Sequence, residues 1–291
     1  MRNPFDSQAA TYDQRVGLPE GIDREVARAV LKLAEVRPGE LVVEVGAGTG
    51  QIGQWLAQAA VRYVGFDLAP DMLRRFRRRL ELWGEARTLL VADGNQPWPL
   101  PDATARVIFS SRAVHLLDLE HVVAESFRVA RPEGTQLIVG RVQRSTTSLQ
   151  TQMQHQMHRL LRQHGFRARA GAQHQQRLLA CCCQRGAQAV APVVVARWRA
   201  ASAPGAAIAT WRDKPGLGGL DLPVRIKHAI LTELAHWAEA TFDSLEQQME
   251  SEVAYVLQGV WLRPEVHGPS RLPPAPRGVV GESTAEGQCE I

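Results

Sequence analysis

The feature that most constrains this chain is an alternation, between residues 41 and 142, of short apolar runs with helical periods. Leu41-Val42-Val43-Glu44-Val45 is followed by a glycine-rich turn, after which Ile52, Trp55, Leu56 and Ala59 fall at helical spacing. Tyr63-Val64-Gly65-Phe66 ends at Asp67 and leads into a helix from Pro70 to about Leu82. Thr88 to Ala92 ends at Asp93, Ala105 to Phe109 ends at Ser110-Ser111, and a helix from Leu119 to Ala130 leads to a fifth strand, Gln136 to Val142. Strands that alternate with helices require right-handed crossovers, and so predict a parallel sheet covered on both faces. Ligands of such sheets bind at the carboxyl ends of the strands, which here carry Glu44 and the glycines, Asp67, Asp93 and Ser110-Ser111.

The flanking regions are less regular. Residues 1–38 predict a helical cap, with Ile22, Val26, Ala29, Val30 and Leu33 as a stripe before Pro38-Gly39. Residues 39–143 form the α/β core. Residues 144–262 predict a long helical insertion after strand five, which faces the substrate, and two last strands around Ala189–Trp198 and Val253–Leu262. Residues 145–250 could instead fold as a separate unit. From Arg263 to Ile291 apolar periodicity ceases and a disordered tail is expected.

Composition removes several classes. With 291 residues, 45% of them hydrophobic, the chain can bury a core, which excludes disorder throughout and a small disulfide scaffold. No apolar run approaches the ~18 residues that span a bilayer, so a cytoplasmic protein is expected. Cys181, Cys182 and Cys183 are adjacent and lack metal-ligand spacing, and Cys289 lies in the tail, so the triplet predicts small side chains of one helix. His155, His158 and His164 lack Cys or carboxylate partners at ligand spacing, so they predict a solvated helix and no metal. Trp198, Trp211, Trp237 and Trp261 predict core packing rather than one aromatic pocket. The net charge of +4 hints at nucleic acid, yet all but Lys32, Lys214 and Lys227 of the 34 basic residues are arginines. In the densest cluster, Arg74 to Arg79, Leu73, Phe76 and Leu80 form the inner face of a helix and the arginines its solvated face.

The glycine turn carries the chemistry. Glycine lets a ligand approach the main chain closely and tolerates positive φ, a device used by two cofactor classes. Gly48-Thr49-Gly50-Gln51-Ile52-Gly53 formally matches the dinucleotide pattern, with Asp67 as the downstream acid. Glu44-Val45-Gly46-Ala47-Gly48-Thr49-Gly50 matches the Gly-x-Gly-x-Gly turn preceded by an acid that grips S-adenosylmethionine.

On this second pattern the chain resembles the class I S-adenosylmethionine-dependent methyltransferases, specifically the type 11 methyltransferase domain. The likeness extends over about residues 5–142: Val64 to Leu73, Val91-Ala92-Asp93-Gly94, Leu100-Pro101-Asp102-Ala103 through His115, and Phe127 to Gly134 each resemble a family segment. It implies a Rossmann-like seven-stranded sandwich with a helical insertion between strands five and six, and S-adenosylmethionine as cofactor. It further implies that Glu44, Gly46, Ala47, Gly48 and Gly50 form the cofactor turn, that Asp67, with Leu68 and Met72 beyond it, holds the ribose hydroxyls, and that Asp93 and Gly94 meet the adenine. Ser110 would line the methyl-transfer end, and Tyr12 and Arg15, from a capping segment, would contact the methionine half. Methyl transfer from a sulfonium needs orientation more than a catalytic side chain. For a hydroxyl or acidic-carbon acceptor, His115 is the candidate base. The acceptor is expected to be a small molecule. An RNA methyltransferase and a non-catalytic S-adenosylmethionine-binding regulator are the alternatives.

Overall fold

The computed structural model describes residues 9–10, 12–81, 87–168, 171–214 and 216–263, without the side chains of residues 15–16 and 171–172. Seven strands among them form one sheet: β1 (Leu41–Val45), β2 (Arg62–Asp67), β3 (Arg87–Val91), β4 (Ala105–Ser111), β5 (Thr135–Arg144), β6 (Gln188–Ser202) and β7 (Met249–Leu262). Their spatial order is β3-β2-β1-β4-β5-β7-β6. The first five pair in parallel, and β7 runs antiparallel between β5 and β6. The order reverses at β1 and β4, so the ends of those strands open the crevice in which α/β sheets hold ligands.

Strand β1 is buried throughout, and its alternation divides the core. Leu41, Val43 and Val45 face one cluster, which includes Val122, Val123 and Val129 of α5 (Leu119–Val129) and Leu178 and Cys182 of α7 (Gly171–Gln184). Val42 faces the other, with Val26 and Val30 of α2 (Ile22–Leu33), Leu56 of α3 (Gly53–Ala57) and Leu73 and Phe76 of α4 (Pro70–Leu80). The α2 stripe buries Ile22, Val26, Ala27 and Val30, whereas Ala29 and Leu33 are half-buried at its edge.

The helical material beyond β5 is split. α6 (Leu149–Gln163) and α7 connect β5 to β6, and α8 (Pro204–Arg212) and α9 (Val224–Phe242) connect β6 to β7. α6, α8 and α9 share a satellite core around Met153, Leu161, Ile208 and Leu234, while α7 packs on the sheet beside α5. The expected insertion is thus two things: a cover for the sheet and a separate three-helix cluster. Pro192 lies at the register shift between Val190 and Val193 of β6, the edge-strand position that tolerates a missing donor.

Two sequence segments explain each other across space. Arg128 on α5 pairs with Glu125 and Asp102 and also donates to the carbonyls of Trp98 and Leu100. Glu125 in turn accepts the Trp98 N–H at 2.6 Å, and the Trp98 indole donates to the Gly94 carbonyl. This network lowers the Glu125 carboxyl, chiefly through Arg128, and fixes the loop that carries Asp93 and Gly94.

Cys182 is buried in α7, with its thiol pushed up to about 12 by burial, and Cys181 and Cys183 are half-buried beside it. Cys289 and residues 264–291 lie outside the described residues. The four tryptophans disperse: Trp198 flanks the α2 side of the sheet, Trp211 and Trp237 the satellite core, and Trp261 stacks under Arg106. Among the described residues no helix is long and apolar enough to cross a membrane, and no group of His, Cys, Asp or Glu could hold a metal ion.

Candidate active site

A cavity of about 230 Å³ opens at the carboxyl ends of β1, β2, β3 and β4, lined by Gly46, Gly48, Asp67, Leu68, Met72, Asp93, Gly94, Arg112 and His115 among others. The glycine turn forms its floor. Gly48 has φ +55° with open space where a Cβ would point, so a ligand can lie against the main chain. Gly50, at φ +76°, abuts the Phe76 ring of α4, and a Cβ there would sit 2.0 Å from Cδ2. Asp67 is oriented by two main-chain donors, Gly48 N–H on one oxygen and Ala69 N–H on the other, both at 2.8 Å. Asp93 forms its own turn by accepting the Asn95 N–H. Leu68 and Leu116 are about half exposed at the cavity, 50% and 43%, and offer apolar surface to a flat ring.

The amino-terminal segment crosses the mouth. α1 (Tyr12–Val16) is tied to the glycine turn by Asp13, which accepts from Thr49 Oγ1 at 2.6 Å and pairs with Arg79 of α4 at 2.5 Å. That clamp sets Tyr12 at the cavity, packed against Ala69 and Met72, with the Arg112 guanidinium 5.8 Å from its ring. The Arg15 side chain lies outside the described residues.

Four residues expected at the cofactor, Glu44, Ala47, Gly50 and Ser110, do not line this cavity. Glu44 shares the face of Val42, so it projects beneath the turn, where it accepts a hydrogen bond from buried Tyr63. Burial pushes its carboxyl up to about 8, opposed by the Tyr63 hydrogen bond and raised further by Asp67. Gly53 is small for the same reason: a Cβ would meet Glu44, Tyr63 and Phe76. The third glycine of the dinucleotide pattern is therefore a packing position here. Ser110 turns its hydroxyl to the Val45 carbonyl at 2.8 Å and lines a neighbouring cavity rather than this one, and Ala47 and Gly50 are buried behind the cavity wall.

The residues that follow Ser110 enter the cavity as well. Arg112 follows β4 at φ +62°, an uncommon conformation for a non-glycine residue that concentrates at functional sites. It lines the cavity and donates to Gln51 Oε1 at 3.2 Å. Ser111 also lines it and shares a 2.6 Å hydrogen bond with the Tyr255 hydroxyl, brought in by β7. Burial pushes that phenol up to about 12. A second cavity, about 270 Å³, adjoins at Arg112 and His115 and extends along β5 past Val139, Gly140, Arg141 and Val142 to Gln175 of α7. His115 lies exposed in a short 3-10 turn (Val114–Leu116) and lines both cavities.

A parallel five-stranded core, a reversed β7 between β5 and β6, and a glycine turn facing an oriented Asp67 together define the class I S-adenosylmethionine-dependent methyltransferase fold. Residues 42–134, within the α/β core, match the methyltransferase domain family. A malonyl-[acyl-carrier protein] O-methyltransferase of Serratia marcescens is 35% identical over 135 residues, 46% of this chain and 49% of that protein. A demethylmenaquinone methyltransferase of Tropheryma whipplei is 29% identical over 136 residues, 46% of this chain and 56% of its own. The chain thus spans about half the length of the curated relatives it matches. Among solved structures, a candidate methyltransferase of Bacillus halodurans has a TM-score of 0.53 at 16% identity, covering 82% of this chain and 98% of its own. The YcgJ protein of Bacillus subtilis has a TM-score of 0.51 at 19% identity, covering 80% and 97%.

Proposed function

We propose that the protein transfers a methyl group from S-adenosylmethionine to a small-molecule acceptor bound in the second cavity. The observation that carries this reading is the meeting of two cavities at Arg112 and His115. The first suits the cofactor: Asp67 for the ribose hydroxyls, Leu68 and Leu116 for the adenine faces, Asp93 and Gly94 for its edge, and Gly48 for close approach of the main chain. When bound, S-adenosylmethionine supplies an electrophilic sulfonium methyl.

The protein's own part is to hold, orient and dry the site. Tyr12, clamped through Asp13, covers the mouth and excludes water. The second cavity fixes the acceptor's line of approach, which accounts for much of the rate enhancement in such a displacement. His115 stands where both cavities meet, and in this reading it takes the proton from an acceptor hydroxyl, amine or acidic carbon. The relatives' names specify malonyl-[acyl-carrier protein] and demethylmenaquinone, neither of them a nucleic acid. The arginines of α4 are partly engaged within the protein, Arg74 with Asp71, Arg77 with the Leu89 carbonyl and Arg79 with Asp13, which disfavours a phosphate-binding face.

Calorimetric titration with S-adenosylmethionine and S-adenosylhomocysteine tests the cofactor, and incubation with methyl-labelled cofactor and fractionated extract tests transfer. Micromolar binding with label in a small-molecule fraction is expected. Label in RNA would substitute the RNA reading, binding without any labelled product would favour a regulator, and no binding at all would end the proposal.

A further inference from the structure

Resting on the methyltransferase reading, we infer that the second cavity recognises its acceptor by an oxyanion, a carboxylate or a phosphate, seated on Arg141. Arg141 lies on β5, immediately after Gly140, and lines the second cavity but not the first. Its charge is therefore directed away from the cofactor and toward whatever enters beside it. Nε of Arg141 is buried and has no hydrogen-bond partner among the described residues, and its Nη2 makes one long contact, 3.3 Å, to Gln143 Oε1 on the same strand. A buried guanidinium N–H left unpaired is unfavourable, and a planar fork of donors matches a carboxylate or phosphate edge.

The surroundings agree. Among the described residues that line this cavity there is no carboxylate, so nothing within it neutralises Arg141. Arg112 adds a second positive charge at the seam. Val114, Val139 and Val142 add an apolar wall, Ser110 and His115 stand at the end toward the cofactor cavity, and the buried Gln175 also lines it, its amide held by the Val139 carbonyl and Gln258. An acceptor that fits carries one anionic end at Arg141, a short apolar body along the valines, and its methylated atom near His115.

The test titrates hexanoate, hexyl phosphate and 1-hexanol into wild type, Arg141→Gln and Arg141→Lys, each with and without saturating S-adenosylhomocysteine. One anion or both should bind at least about tenfold more tightly than hexanol, the scale of a charge-assisted hydrogen bond, and the tighter anion identifies the acceptor's group. Arg141→Gln should lose about tenfold in anion affinity, and Arg141→Lys should retain part of it, with S-adenosylhomocysteine affinity and melting temperature unchanged in both. Hexanol binding as well as both anions, or Arg141→Gln binding them like wild type, would overturn the inference. The hexanol comparison needs only wild-type protein. Failure of S-adenosylhomocysteine to bind wild type would instead remove the methyltransferase reading on which the inference rests, so the two failures are distinguished.

Discussion

Replacing Asp67 by asparagine should be no milder than replacing it by alanine. Each carboxylate oxygen of Asp67 accepts one main-chain hydrogen bond, from Gly48 and from Ala69. An amide has a single acceptor oxygen, so in Asp67→Asn the NH₂ group must face one of those two N–H donors. The substitution removes one charge-assisted hydrogen bond, opposes two donors and halves the acceptors left for the ribose, a loss of about 2–3 kcal/mol in cofactor binding. At about 1.4 kcal/mol per decade, the dissociation constant for S-adenosylhomocysteine should rise roughly 30- to 150-fold. In Asp67→Ala water can reach both N–H groups, so its loss should be similar or smaller. Calorimetry on the three proteins, with thermal melting to confirm folding, decides the matter. An asparagine variant that binds within about threefold of wild type would refute the reasoning.

Three further outcomes are expected. Gly50→Ala places a Cβ against Phe76 at φ +76° and should lower stability by about 2–5 kcal/mol from backbone strain and overpacking together; a loss below about 1 kcal/mol in urea melts would contradict this. The folded Glu44 carboxyl keeps its proton to about pH 8, whereas the unfolded chain releases it near 4.5, so the native state binds more protons in that window and stability should fall as pH rises through it. Glu44→Gln should flatten that dependence, and parallel pH profiles for variant and wild type would disprove the assignment. His115→Asn should lower kcat while leaving S-adenosylhomocysteine affinity intact; turnover equal to wild type across the pH range would end the base role.

What the sequence disclosed was local. The glycine turn, Asp67 and Asp93 sit at strand ends, and strand ends are visible as the points where β-branched runs stop. The placement of Glu44 beneath the glycine turn was also legible in principle, because strand alternation puts it with Val42 and opposite Val43 and Val45. The conformation of Arg112 was not, since a positive φ is announced by no residue type outside glycine. Nor was the Ser111–Tyr255 hydrogen bond, which exists only because β7 pairs antiparallel with β5 and sets Tyr255 opposite Val142. The three-helix cluster escaped notice for a similar reason: α6 and α9 meet across the whole of β6, and their apolar stripes alone do not say which partner each covers.

The reversed strand also sets a timetable for synthesis. Among the described residues β6 has one neighbour in the sheet, β7, and 46 residues separate the end of β6 at Ser202 from the start of β7 at Met249. At roughly 5–20 residues per second, a ribosome leaves β6 without its partner for about 2–9 s. During that interval Val190, Val193, Val194 and Val195 form an unpaired apolar strand open to other nascent chains. Pro192, which interrupts the register inside that run, removes a donor from it, and so guards the strand before its permanent neighbour has been made.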